Sequence, residues 1–310
     1  MRSCFVFGAF LFVGACTGGG SSSGYIEAGV EGSSDGSSGG TGGDGGACPA
    51  FHPGGTNDPS IGGSATSQVA AQAAADLSGA ADVQTSDVTA ACKGIATTLG
   101  ASASDQSAAD ANSDPLRKEQ AWCALAVSAI GTAKATLAAT ISVTASTSPC
   151  RESVATKGAC QGRCSGGTCD TAANPMTCTG GSLSGGYCVG GKLEGGCHVD
   201  AKCDSSCDTS VAAAADCAAP TVTIAVSGAS DPAAAAKLKT ALEAGLPAIF
   251  ANKNKCELEG TVSSTFSVNV SAASDLDVPC IPVVIRTAGH AIDAVTICAK
   301  ATADVAGTVQ

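Results

Sequence analysis

The sequence predicts an α+β protein: disulfide-stapled helices packed on a small sheet, with a Cys/Gly-rich irregular excursion and a disordered N-terminal tether. Three observations carry this expectation. Eighteen cysteines in 310 residues mark an oxidising compartment, where cross-links persist. Apolar residues recur at helical spacing behind capping residues in several stretches, and at strand spacing in others. Residues 17–46 are mostly Gly and Ser, a composition with too little apolar surface to fold alone.

Apolar residues make up 44% of the chain but aromatics only 3%. A core of Ala, Val, Ile and Leu buries less area per residue than an aromatic one, so cross-links are expected to share the work of holding it. The net charge is −11, and the 16 basic residues are spread thinly; Arg117-Lys118 and Lys253-Asn254-Lys255 are the densest spots. Clustered cations that could release counterions from phosphates are missing, which excludes nucleic acid as a partner and argues against attraction to anionic lipid headgroups.

Arg2 precedes a nine-residue apolar stretch, Phe5 to Val13. A bilayer span needs about 20 such residues, so residues 1–15 are expected to be a secretory signal. The stretch closes on Val13-Gly14-Ala15-Cys16, which resembles a bacterial lipobox. That resemblance implies diacylglycerol on the Cys16 thiol, cleavage before it, and a membrane partner reached through the N-terminal lipid. Thr17 is not the aspartate that commonly retains such proteins at the inner membrane, which implies the outer membrane or cell surface. Residues 16–47 then form anchor and leash, with Glu27, Glu31, Asp35 and Asp44 as the only charges. A Gly/Ser chain of this length reaches roughly 30 Å, from 5–6 Å × √n. Inside it, Gly40 to Gly45 matches a dinucleotide fingerprint and Gly32 to Gly36 a nucleophile elbow. Neither has the strand and helix that those motifs require.

With Cys4 in the signal and Cys16 assigned to lipid, sixteen cysteines remain, the even number that full pairing needs. They are Cys48, Cys92, Cys123, Cys150, Cys160, Cys164, Cys169, Cys178, Cys188, Cys197, Cys203, Cys207, Cys217, Cys256, Cys280 and Cys298. Nine lie between Cys160 and Cys217, in Gly-rich sequence with little large apolar content. The rival is a metal site, but zinc usually uses paired C-x2-C spacing, whereas Cys160/Cys164 and Cys203/Cys207 are separated by three residues. Disulfides are the expectation, and no metal or cofactor is assigned.

The folded body is expected in three parts: 48–149, mainly helical with a strand at its end; 150–218, the Cys/Gly-rich disulfide segment; and 219–310, an α+β remainder. In order, residues 66–80 read as an Ala-rich helix facing inward through Val69 and Leu77. A second helix runs from Ser86 as N-cap to Gly100, with Val88, Cys92, Ile95 and Leu99 on one face. Asp114-Pro115 opens a third, striped by Leu116, Cys123, Val127 and Ile130. Cys92 and Cys123 both lie on buried faces and are predicted to pair. Strands are expected near Leu137–Ala145 and over Thr221–Val226. Asp231-Pro232 starts a helix striped by Leu238, Leu242, Leu246 and Phe250, with Pro247 inside it. Residues 261–270 alternate like a strand, 283–292 read as helix, and 294–302 as a closing strand.

KGACQGRCSGGTC, with AACKGIATTLG before it and CDSSCDTSVAAAADC after it, resembles the degenerate CxGxC-type repeat region of cysteine-rich lipoproteins of the Gram-negative, myxobacterial type. This chain has about one recognisable repeat where the family carries many. The resemblance implies an architecture and an address, and no activity. His52, His198 and His290 fall in no catalytic motif, so no catalytic residue is assigned. The expected role is structural, adhesive or partner-binding at the envelope or surface, without catalysis. The alternatives are an extracytoplasmic metal-binding or carrier protein using the Cys/His segment and, last, a hydrolase with a dispersed site.

Overall fold

Ser64 closes an extended segment, and its hydroxyl accepts the Ser67 N–H at 3.3 Å, the side-chain cap that starts a helix. That helix, α1 (Ala65–Leu99), runs for 35 residues. It ends where Gly100 takes the left-handed conformation, φ 91°, and donates to the carbonyls of Ala96 and Thr97. Only glycine does this without strain. The sequence reading divided this stretch in two with Ser86 as a cap; Ser86 instead lies exposed in mid-helix. No proline or glycine separates Ala80 from Cys92, so nothing stops propagation once the first turn has formed.

The computed structural model describes residues 48–138, 140–164, 174–271 and 273–309. After α1 come α2 (Ala103–Asp110) and α3 (Pro115–Leu137). The Asp114 carboxylate accepts the Leu116 N–H at 2.9 Å to cap α3, with Pro115 in its first turn. β1 (Thr140–Ala145) follows, and later pairs antiparallel with β7 (Val222–Ser227), with Ile141 opposite Val226 and Val143 opposite Ile224. Between them lie β2 (Arg151–Ser153), α4 (Val154–Cys164), β3 (Thr177–Thr179), β4 (Ser182–Ser184), β5 (Tyr187–Val189), β6 (Lys192–Glu194) and α5 (Ala201–Ala213). The chain closes with α6 (Pro232–Ser271) and α7 (Cys280–Val309). Seven helices and small sheets, joined by disulfides, make up the described residues: an α+β body dominated by helix.

α1 is the central member: α3, α5, α6 and α7 all pack on it. Its inner face is Ala71, Ala74, Leu77, Ala81, Val88 and Ile95, all buried. Small side chains let neighbouring backbones approach closely. At Gly245 of α6 a methyl group would stand 2.5 Å from Ile95 Cγ1. The Asp231 carboxylate caps α6, accepting from the N–H groups of Ala233 and Ala234 at 2.8 and 3.2 Å.

Two expected strands are helices. Residues 261–270 complete α6, and 294–302 belong to α7. Val262, Phe266 and Val270 are buried and spaced four apart, a spacing that satisfies both a two-residue and a 3.6-residue period. Helix wins because that face packs against neighbouring helices. In α7 the buried positions Ala291, Ala294, Cys298, Thr302 and Val305 step at three and four, and the helix expected at 283–292 simply continues through them. α7 is also long and apolar enough by composition to cross a membrane, but its buried side chains form part of the core shared with α1, α3 and α6.

Candidate functional site

The site with the most built-in organisation is the segment between β1 and β7. Its ends are clasped by Cys150–Cys217, whose Cα atoms are 4.1 Å apart. Beside the bridge, Arg151 and Asp216 exchange backbone hydrogen bonds at 2.9 and 3.1 Å, and their side chains form an ion pair. The Arg151 guanidinium also lies 5.3 Å from the centre of the Tyr187 ring, a cation–π distance.

Within the clasp, α4 and α5 are joined by two rungs, Cys160–Cys207 and Cys164–Cys203. Four-residue spacing places each helix's two cysteines on one face, and the crossed pairing makes the helices antiparallel. The three-residue gaps that looked merely unlike zinc spacing are thus the signal for a stapled helical hairpin. The composition of this stretch had suggested an irregular loop. The rungs rest on Val69 of α1, buried among Cys160, Cys203 and Cys207.

A polar network completes the cassette. Lys157 of α4 is 1% exposed, and its ammonium donates to Leu193 O at 2.9 Å and Asp208 Oδ1 at 2.7 Å. The Leu193 N–H donates to Glu152 Oε2 at 2.7 Å, so one β6 residue is held through both of its backbone polar groups. Burial pushes the Glu152 carboxyl upward. Gln161 donates to Gly195 O and to Asp204 Oδ1, while its own oxygen accepts the Cys197 N–H at 2.9 Å. That oxygen would stand 2.2 Å from a methyl group on Gly196, where φ is 100°. A charge this deeply buried is stable only when paired, and Asp208 at 2.7 Å and Asp204 at 3.8 Å supply the opposite charge.

Where the cassette meets the bundle, a groove of about 660 Å³ opens over Phe250 and Leu258 of α6, walled by Pro149 and Pro220. Asn254 donates to Ser148 O at 3.3 Å at its edge. The volume lies in the range of small-ligand clefts.

The remaining cysteines brace the body. Cys48–Cys280 ties the first described residue to the start of α7, Cys92–Cys123 joins α1 to α3, and Cys256–Cys298 joins α6 to α7. Cys178–Cys188 links β3 to β5. Cys197 is also disulfide-bonded, and Cys16 and Cys169 lie outside the described residues. His52, His198 and His290 are exposed, each on a different part of the chain. Among the described residues no three His, Cys, Asp or Glu side chains gather as metal ligands would.

Sequence reasoning missed two buried acids in the bundle. Glu119 of α3 and Glu259 of α6 are both 0% exposed. Gln84 of α1 donates to both Glu259 oxygens, while Gln84 Oε1 lies 3.0 Å from Cys256 Sγ, an oxidised sulfur with no proton to give. Thr85, the next residue, faces Glu119, but neither Glu119 oxygen has a hydrogen-bond partner of normal geometry among the described residues. Burial pushes Glu119 up to about 8 and Glu259 up to about 7. The signal was a charged residue inside an apolar stripe, Leu116-x2-Glu119-x2-Trp122.

Compared with protein-family models, with curated proteins and with solved structures, this chain matches none of them.

Proposed function

We propose that this chain is an exported, lipid-anchored envelope or cell-surface protein whose role is structural, adhesive or partner-binding rather than catalytic. The observation that carries the reading is the number of bridges: seven disulfides close among the described residues, a density that a reducing cytosol does not sustain. Val13-Gly14-Ala15-Cys16 and the Gly/Ser stretch behind it support anchoring, because together they form an acylation signal followed by a leash. The groove between cassette and bundle, its apolar floor edged by Asn254 and Ser148, supports a partner-binding role.

The test is expression of the full chain in a Gram-negative host with radiolabelled palmitate. The expected outcome is label in the membrane fraction, lost on Cys16→Ala, with eight disulfides counted by the mass gained on reduction and alkylation. A secreted product with an unmodified Cys16 thiol would overturn the anchor. Retained zinc with free thiols would overturn the disulfide-braced, partner-binding role in favour of metal binding.

A further inference from the structure

The end of the body that holds Cys48, the first described residue, carries an apolar stripe left exposed among the described residues. Val278 is 81% exposed and Ile285 39%. Pro279 and Pro282 are exposed and Ile281 partly so. Positions 278, 281, 282 and 285 follow helical spacing, so they form one face leading into and along the first turns of α7. Large exposed apolar side chains are few among the described residues, the others being Val83, Leu183 and Tyr187. Two of the five thus flank Cys280.

Cys280 is where the body is tied to its entry point. The Cys48–Cys280 bridge holds the two Cα atoms 4.8 Å apart. The connection is reinforced by Asp277 N–H donating to Ile61 O at 3.0 Å and Ser64 N–H donating to Asp275 Oδ2 at 2.8 Å. Forty-seven residues precede Cys48, and those after Cys16 are a Gly/Ser stretch with a reach of roughly 30 Å. Anchoring Cys16 would therefore keep this end of the body tethered to the same surface, at a typical separation of roughly that reach.

We propose that the stripe Val278–Ile281–Pro282–Ile285 rests on the bilayer to which Cys16 is anchored, so that the body stands on the membrane by this end. The inference rests on the acylation of Cys16. A leash raises the effective concentration of a weak second contact, so a patch too small to bind lipid alone suffices to orient an anchored body, as a second signal does for single acyl chains. Charge selects the lipid. Asp58, Asp275 and Asp277 lie at this end, with Arg286 and His290 farther along α7, and the chain carries a net −11. The surface that fits is zwitterionic, of the phosphatidylethanolamine type, and anionic lipid weakens the contact.

The experiment uses full-length chain purified from membranes and reconstituted in phosphatidylethanolamine/phosphatidylcholine vesicles containing lipid brominated near the headgroup. Val278→Trp is compared with Val83→Trp, an exposed position on α1; the buried Trp122 contributes equally to both. Expected is flotation of both variants, with emission of Val278→Trp quenched about twofold, the depth of an interfacial side chain, and Val83→Trp unchanged. Flotation with neither or both quenched overturns the docking and leaves the anchor standing. So does flotation with Val278→Trp shielded in a dimer, seen by sedimentation in detergent. Absence of flotation with an unmodified Cys16 by mass overturns both.

Discussion

Gln84 Nε2 donates to both carboxyl oxygens of Glu259, at 2.8 and 2.7 Å, across the seam between α1 and α6. One residue along α1, Thr85 faces Glu119 of α3, so a single turn of the central helix confronts two acids that water does not reach. In both, burial is the main cause of a raised pKa; Gln84 and Lys255 oppose it at Glu259, and Thr85 opposes it at Glu119.

A carboxyl whose native pKa exceeds its unfolded value binds more protons folded than unfolded, so stability falls as pH rises between the two values. From an ordinary value of 4.5, the native values are about 8 for Glu119 and about 7 for Glu259. The stabilisation is complete below about pH 4.5 and is lost as pH rises through 7 and 8. Asp58, Asp110 and Asp275 are held low by hydrogen bonds and act oppositely, but only at stronger acidity. Thermal unfolding is expected to show a Tm that declines from pH 5 to pH 9. A flat or rising profile would refute the burial of these groups.

Glu119→Leu removes two oxygens that have no partner of normal geometry. At pH 9, where the carboxyl is otherwise forced to ionise in the core, the substitution should stabilise by roughly 1–3 kcal/mol, the cost of an unsatisfied buried polar group. At pH 5 the gain should shrink. Urea unfolding at the two values checks both the sign and the difference.

The two rungs between α4 and α5 should not open independently. Cys164 is the half-buried member, whereas Cys160, Cys203 and Cys207 are at most 1% exposed, so a dithiol reductant should reach Cys164–Cys203 first. The freed Cys164 thiolate then lies 3.7 Å from Cys207 Sγ. Attack there forms Cys164–Cys207 and expels Cys160 as thiolate, the ordinary course of exchange. Brief reduction followed by alkylation and peptide mapping should find label on Cys160 and Cys203. Label confined to Cys164 and Cys203 would exclude the exchange.

Gly196→Ala should cost about 1–3 kcal/mol from backbone strain at positive φ, and more where the new methyl meets Gln161 Oε1. The lost Gln161–Cys197 bond should loosen β6 before the bundle responds. Hydrogen exchange is expected to rise around residues 193–197 while α1 stays protected. Equal loss of protection in both would show that the cassette does not open separately.

Much of this fold could be read from punctuation. Asp114-Pro115 and Gly100 mark real helix ends, and Val222–Val226 a real strand, because caps and clean alternation are local physics that packing did not override. What failed was period. Val262, Phe266 and Val270 fit either geometry, and only the helices packed around them decide. In the cassette, composition misled: glycines suggested loop, while cysteines four apart required helix. The buried acids were visible only as charges on apolar faces, a pattern whose meaning depends on what packs opposite, and Gln84 lies far away in sequence.

The Cys150–Cys217 clasp has a consequence for how such a chain can change. With the cassette's two ends fixed 4.1 Å apart and β1 already paired to β7, material added between α4 and α5 never strains the bundle. The clasp works as a socket: chain inserted between α4 and α5 can lengthen or shorten while α5 stays packed on α1 and α6 and the helices keep their register. Variation in the outward-facing part is thereby uncoupled from the stability of the part that must fold.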